Sequence, residues 1–206
     1  YNFSVIKNKM TELNGVDYIG LSSSELHGRN FDQETSRSAV GQPIGSFFVY
    51  EADGLFQSDA EIQNYKNDRG ELLQPNAKPG DIRFKDLNGD GVINSDDRDF
   101  KGNPLPDCSM GLTLGFNYKN FDVSAFFQGV FGNEVYNLTN YLGEFYNQAQ
   151  YNKNSTILDA WRPDNTDTDI PRVTLDDPNN NIRPSTYYIH NASFVRLKNL
   201  KVGYTL

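Results

Sequence analysis

The chain has one cysteine and two histidines in 206 residues. A lone thiol, Cys108, excludes an internal disulfide framework, and with no reactive partner in view it reads as inert. His27 and His190 stand far apart in polar sequence, without a carboxylate or cysteine at ligand spacing, so neither supports a metal or catalytic centre. No apolar run approaches the eighteen residues that a transmembrane helix needs. The opening Tyr1-Asn-Phe-Ser4 is no signal peptide. Lys and Arg number 19 against 27 Asp and Glu, for a net charge of −8, and they are scattered. With no basic stripe to neutralise phosphates, nucleic acid is excluded as a partner. The carboxylates are abundant, but no hydrolase motif frames a pair of them, and the chain does not read as an enzyme.

Aromatic residues are plentiful, with 14 Phe and 12 Tyr, while the mean hydropathy is only −0.64. Disordered chains are poor in aromatics. Membrane β-barrels, by contrast, combine polar loops with aromatic girdles, so the composition permits a barrel without establishing one.

The pattern of Ser109 to Gly132 is more specific. Met110, Leu112, Leu114, Phe116 and Tyr118 alternate with Ser109, Gly111, Thr113, Gly115 and Asn117. After Lys119-Asn120 the alternation resumes, with Phe121, Val123, Ala125, Phe127 and Phe131 on one face and Asp122, Ser124 and Gln128 on the other. Period two through both arms of a tight turn predicts an antiparallel hairpin. Each arm has the length that a tilted strand needs to cross a bilayer. A hairpin lying with one face on a soluble core obeys the same alternation. Two details favour the membrane: the apolar face is unusually aromatic, and the polar face carries small residues and amides.

Further strands are expected at Gly45 to Phe56 and at Phe194 to Leu206, where Leu200, Val202, Tyr204 and Leu206 share a face. The chain opens and closes on strand-like sequence, so the expectation is a stretch of a longer polypeptide, incomplete at both ends. Between Gly132 and Ala192 lies a polar span of roughly sixty residues, longer than loops in compact soluble domains. Within it Tyr141, Leu142, Phe145, Tyr146 and Ala149 recur at helical spacing and predict a short helix around 140–160. Pro163, Pro171, Pro178 and Pro184 limit regular structure beyond.

The segment Asp86-Leu-Asn-Gly-Asp-Gly-Val-Ile-Asn-Ser-Asp-Asp97 has calcium-loop spacing. Asp86, Asn88 and Asp90 take positions one, three and five, Val92 offers a carbonyl at seven, Asn94 stands at nine and Asp97 at twelve. Aspartate replaces the usual bidentate glutamate at twelve, and Pro79-Gly80 and Gly102-Asn-Pro104 leave no room for flanking helices. A structural Ca²⁺ is expected there; an Asx-turn connector with solvated carboxylates is the alternative.

A series of motifs in order then resembles the C-terminal part of SusC/RagA-type TonB-linked outer-membrane transporters. It comprises Gly41-Gln-Pro-Ile-Gly45, Asp53-Gly-Leu-Phe-Gln57, Pro79-Gly-Asp-Ile-Arg-Phe84 running into the Asp86 loop, Gly102-Asn-Pro-Leu-Pro106 and Gly115 to Ser124. Phe127-Gln-Gly129, Gly132-Asn133, Trp161-Arg-Pro163, Ile170-Pro-Arg172 and Phe194 to Leu200 complete it. The resemblance spans nearly all of residues 1–206 and implies an all-β fold: an antiparallel transmembrane β-barrel segment of a larger plugged barrel, with long extracellular loops containing a short helix. It further implies a Gram-negative outer membrane and import of oligosaccharides or peptides beneath a SusD-like surface lipoprotein. The TonB complex would supply energy through a plug domain that these residues do not include.

On that reading Met110, Leu112, Leu114, Phe116, Val123, Phe127 and Phe131 meet lipid, and Thr113, Asn117, Asp122, Ser124 and Gln128 line the lumen. The Lys119-Asn120 turn faces the periplasm. Tyr136, Tyr141, Tyr146, Trp161, Tyr187 and Tyr188 are candidate contacts to substrate or lid, although packing within loops is the commoner fate of such rings. A secreted, calcium-stapled β-domain that binds carbohydrate without transport is the alternative function.

Overall fold

The computed structural model describes residues 1–22, 34–145 and 152–206. One sheet of four antiparallel strands runs in the order β1 (Asn2–Val5), β8 (Cys108–Tyr118), β9 (Phe121–Phe131) and β12 (Phe194–Tyr204). The predicted hairpin is β8 and β9, paired without interruption from Cys108 opposite Phe131 to Tyr118 opposite Phe121. The two-residue turn leaves Lys119 at φ 52°, in the left-handed region. Eleven residues per strand span about 36 Å at the usual rise, enough to cross a bilayer when tilted.

Strand β12 carries one feature that plain alternation does not predict. Its register against β9 shifts between Leu197, opposite Phe127, and Asn199, opposite Phe126, which leaves Lys198 in a bulge. The extra residue keeps Val195 and Leu197 on the same face as Leu200, Val202 and Tyr204. Without it, the two halves of the strand would send their apolar side chains in opposite directions.

Val5, Cys108, Phe131 and Phe194 lie at one end of this sheet, and every long connection among its strands leaves from there. Residues 6–107 join β1 to β8, and residues 132–193 join β9 to β12. Together these two insertions build a second body, the cap. It holds a sheet ordered β2 (Tyr18–Ser22), β3 (Glu34–Ala39), β4 (Ser46–Tyr50) and β7 (Arg98–Gly102). Two small ribbons join it: β5 (Ala52–Leu55) with β6 (Ile82–Phe84), and β10 (Glu134–Tyr136) with β11 (Ile189–Asn191). The expected strand at Gly45 to Phe56 is thus split between β4 and β5 and lies in the cap, with Phe47, Val49, Leu55 and Phe56 buried.

The roughly sixty residues read as a long loop are packed rather than trailing. Leu55, Ile82 and Phe84 from the first insertion share one core with Phe145, Trp161, Ile182 and Tyr188 from the second. The expected helix is α2 (Leu138–Glu144), and a 3₁₀ turn follows at Ser155–Asp159. The intervening part of the expected 140–160 helix, with Tyr146 and Ala149, lies outside the described residues, as does His27. A shorter helix, α1 (Asp59–Asn64), starts at Ser58, whose side chain accepts from the Glu61 amide.

At the rim, backbone bonds close the two ends of the first insertion on each other, tie it to strand β9 of the sheet and join it to the second insertion. Ile6 donates to Asp107, Asp107 donates to Phe131, and Glu134 donates to Asn103, all within 2.9 to 3.0 Å. The Glu134 carboxylate accepts in return from the Asn103 amide at 3.0 Å.

Candidate functional site

Two faces distinguish the long sheet. On one, Phe3 and Val5 of β1 continue into Leu114, Phe116 and Tyr118 of β8, Phe121 of β9, and Leu197, Leu200, Val202 and Tyr204 of β12. All of these are exposed, with Phe116 at 64% and Val202 at 67%. A contiguous bare apolar face of this kind marks contact with lipid or another apolar phase. At the hairpin end its residues are aromatic: Phe116 stacks on Tyr118 with centroids 6.4 Å apart, and Phe121 meets Tyr204 at 4.8 Å. Aromatic rings at the margin of an apolar band form the girdle of an outer-membrane barrel.

The opposite face carries Ser109, Thr113, Asn117, Asp122, Ser124, Gln128, Arg196, Asn199 and Lys201. Phe126 also lies on this face, between Thr113 and Asn199, as do Val130 and Phe194, which face each other at its rim. The alternation therefore separates the predicted lipid-facing and lumen-facing sets onto opposite sides, with Phe126, Val130 and Phe194 as apolar exceptions on the polar side. Among the described residues no helix is long and apolar enough to cross a membrane, which leaves crossing by strands untouched.

In the cap, motifs far apart in sequence converge on Gly80. Its φ of +88° is one that residues with a Cβ avoid. A Cβ there would stand 2.5 Å from Trp161 and 2.8 Å from Arg172, so only glycine admits both neighbours. The Gly80 amide donates to Phe56 at 2.7 Å and its carbonyl accepts from Arg172 at 2.9 Å. The Trp161 indole donates to Gln57 at 2.8 Å.

Next to this point Asp81 is fully buried and accepts four bonds. Two come from the Arg172 guanidinium at 2.7 and 3.2 Å, one from the Asn181 amide group at 2.9 Å and one from the Lys78 backbone at 2.8 Å. The network extends through Asn181, Asn179 and Gln74, which between them bond the amide and carbonyl of Ile82 and the amide of Phe84. Buried amides with complete partners are affordable in a core, and they tie the two insertions together.

The Asp86 to Asp97 loop is folded by its own side chains. Asp86 accepts from the Gly89 and Gly91 amides at 2.7 and 2.8 Å, and Asp90 accepts from Val92 at 2.9 Å. The Val92 amide, followed by Asn88, holds the Asp90 carboxyl below its ordinary range. Gly89 and Gly91 take positive φ, as the sharp turn requires. Asp97 does not stand free at position twelve: it is fully buried and accepts from Leu87, Asn88 and Asn94. Asn94 and Asp97 form a capping box over the turn at Ser95–Asp97. Among the described residues no three acidic, His or Cys side chains gather as a metal site. The loop therefore offers two carboxylates, Asp86 and Asp90, beside the Asn88, Asn94 and Val92 oxygens.

The candidate contact aromatics are drawn inward. Tyr188 is fully buried and Trp161 is 8% exposed, so neither presents a ring face to a ligand. Tyr136, Tyr141 and Tyr187 are partly buried against the same core. Burial raises the phenol pKa of Tyr187, and its hydroxyl donates to Glu144 at 2.6 Å. Tyr187 nevertheless keeps part of its surface at the cap exterior.

A wall of alternating strands, bare on its apolar face and carrying its long connections at one end, is a segment of a transmembrane β-barrel. No family model matches the chain. Similarity to individual proteins is extensive: 37% identity over 206 residues, all of this chain and 19% of the relative, to TonB-dependent receptor P3 of Formosa agariphila. The TonB-dependent receptor SusC of Bacteroides thetaiotaomicron is 28% identical over the whole chain, which covers 18% of it. Among solved structures, the RagAB peptide transporter aligns with a TM-score of 0.62 at 26% identity, over 98% of this chain and 20% of that one. The chain belongs with the SusC/RagA-type TonB-dependent receptors, and it spans about a fifth of the length of the curated relatives it matches.

Proposed function

We propose that these residues form part of the wall and the surface cap of an outer-membrane receptor that imports oligosaccharides or peptides. The observation that carries this is the asymmetry of the long sheet, with a two-residue turn at one end and the entire cap at the other. Outer-membrane barrels keep short turns on the periplasmic side and long loops outside. The cap would then meet incoming substrate and a SusD-like lipoprotein lid. Energy would reach the barrel from the TonB complex through segments beyond these residues. The relatives' names as receptors and transporters support this reading over that of a free carbohydrate-binding domain.

Cysteine labelling tests the orientation. In a full receptor with Cys108 replaced by serine, Asp169→Cys in the cap should react with a membrane-impermeant maleimide on intact cells. Asn120→Cys in the hairpin turn should react only after the outer membrane is opened. The reverse pattern would overturn the proposed topology.

We also infer that the Asp86 loop takes a Ca²⁺ as a structural staple. Asp86 and Asp90, with the Asn88, Asn94 and Val92 oxygens, would hold it, while Asp97 fixes the loop backbone instead of coordinating. Hard oxygen donors on a glycine-turned loop suit this ion. Ca²⁺ at about a hundred times its Kd would add ~2.7 kcal/mol to the stability of the folded cap. The thermal midpoint of the receptor should therefore fall in EDTA and recover with Ca²⁺. A midpoint indifferent to both contradicts the staple.

A further inference from the structure

One cavity of the cap borders the Asp86 loop, and it is lined by Lys66, Arg69 and Lys85 against Asp68, Asp86 and Asp90. Charges of both signs give it no clear preference for a ligand. A smaller one, of about 190 Å³, is built differently. Its floor is hydrocarbon, formed by Ala52, Leu55 and Ile82, and the latter two are already core residues. Its walls are Thr186 and Tyr187, and the exposed Asp169 stands at its rim.

The walls are fixed before any ligand arrives. The Thr186 hydroxyl accepts from the Ala52 amide at 2.9 Å, and the Tyr187 hydroxyl donates to Glu144 at 2.6 Å. Ile82 is pinned from behind by Asn181 at 2.9 Å. Among the described residues Asp169 enters no ion pair, so its charge is available to a ligand. A volume of about 190 Å³ lies below the 300 to 1,000 Å³ that encloses a drug-sized ligand, so the pocket fits one side chain rather than an oligosaccharide.

We propose that this pocket is an anchor for a lysine or arginine side chain of an incoming peptide. The aliphatic stem would lie on Ala52, Leu55 and Ile82 against the Tyr187 ring, and the cationic head would reach Asp169. A basic side chain is suited to this because its stem buries while its head stays near water. A sugar ring would find hydrocarbon where it needs donors and acceptors. The inference rests on the proposed outward orientation of the cap and narrows its substrate to peptides with a basic residue.

The test uses the full detergent-solubilised receptor and calorimetric titration with two pentapeptides that differ only at the centre, one with lysine and one with norleucine. Lysine should bind about three- to fivefold more tightly, the range of an exposed ion pair. Asp169→Asn should make the two equal, and Asp169→Lys should reverse the order. Position 169 is exposed, so neither change threatens the fold. Equal binding of the two peptides by the native receptor, no binding of either, or a preference that survives Asp169→Asn overturns the anchor. Labelling of Asp169→Cys on intact cells separates the two ideas: if the cysteine is labelled but lysine is not preferred, the orientation stands and the pocket proposal falls. If it is not labelled, the orientation itself fails.

Discussion

Asp81→Ala should cost the cap about 3 to 5 kcal/mol, the range for removing one partner of a buried ion pair. The loss is large because the substitution orphans several groups at once. Arg172 keeps only 19% of its side-chain surface exposed and would retain its charge without a partner. The Lys78 amide and the Asn181 side chain would each lose an acceptor. Asn181 in turn positions the acceptor for the Ile82 amide, so the damage reaches strand β6 in the middle of the core. Proteolysis of the purified receptor should detect this as rapid cleavage within both insertions, while the hairpin β8–β9 stays protected. Arg172→Lys should be milder, since it keeps the charge and loses only the two-pronged geometry. If Asp81→Ala cleaves no faster than the native receptor, the network does not hold the insertions together.

The same network shows where sequence reading stops. The β8–β9 hairpin was legible because period two is a local property: each residue's face follows from its neighbours in the chain. Its two-residue turn and its two-faced character both follow from that pattern. The cap obeys no such local rule. Gln74 pairs with Asn179 across 105 positions, and Gln57 pairs with Trp161 across 104. In sequence, Asp177, Asn179 and Asn181 are polar residues among prolines, which reads as solvated loop. In the fold they are buried: Asn179 and Asn181 find partners in Gln74, Asp81 and Ile82, and Asp177 accepts from the Asn181 and Ile182 amides.

Trp161 and Tyr188, named as candidate contacts to substrate or lid, lie in the core for a related reason. Once two insertions share one core, their largest rings fill it, since burying an aromatic side chain removes more apolar area than burying any smaller one. The bulge at Lys198 left a visible trace, the three-residue step from Leu197 to Leu200. A break in alternation, however, does not reveal which strand absorbs it. The motifs that carried the family resemblance were informative in a different way: Gly80, Trp161, Arg172 and Gln57 belong to several of them, and the structure brings them to one point.

The second large effect concerns the long sheet. Leu114 lies midway along β8 on the bare face, 53% exposed and opposite Ala125. If that face meets hydrocarbon, Leu114→Arg places a charge near the bilayer midplane, at a cost of about 2 to 4 kcal/mol. Thr113 is its immediate neighbour in the chain, is also exposed, and points the other way. The two positions differ in little except the side of the sheet they occupy.

In water the two substitutions would be equally harmless, because both sites are exposed and arginine is well hydrated. The most direct test is therefore the fraction of receptor that assembles, folded, into the outer membrane when each residue is changed to arginine separately. The account predicts a strong loss for Leu114→Arg and near-native assembly for Thr113→Arg. Equal tolerance of both, or a loss confined to Thr113→Arg, would contradict a lipid-facing wall.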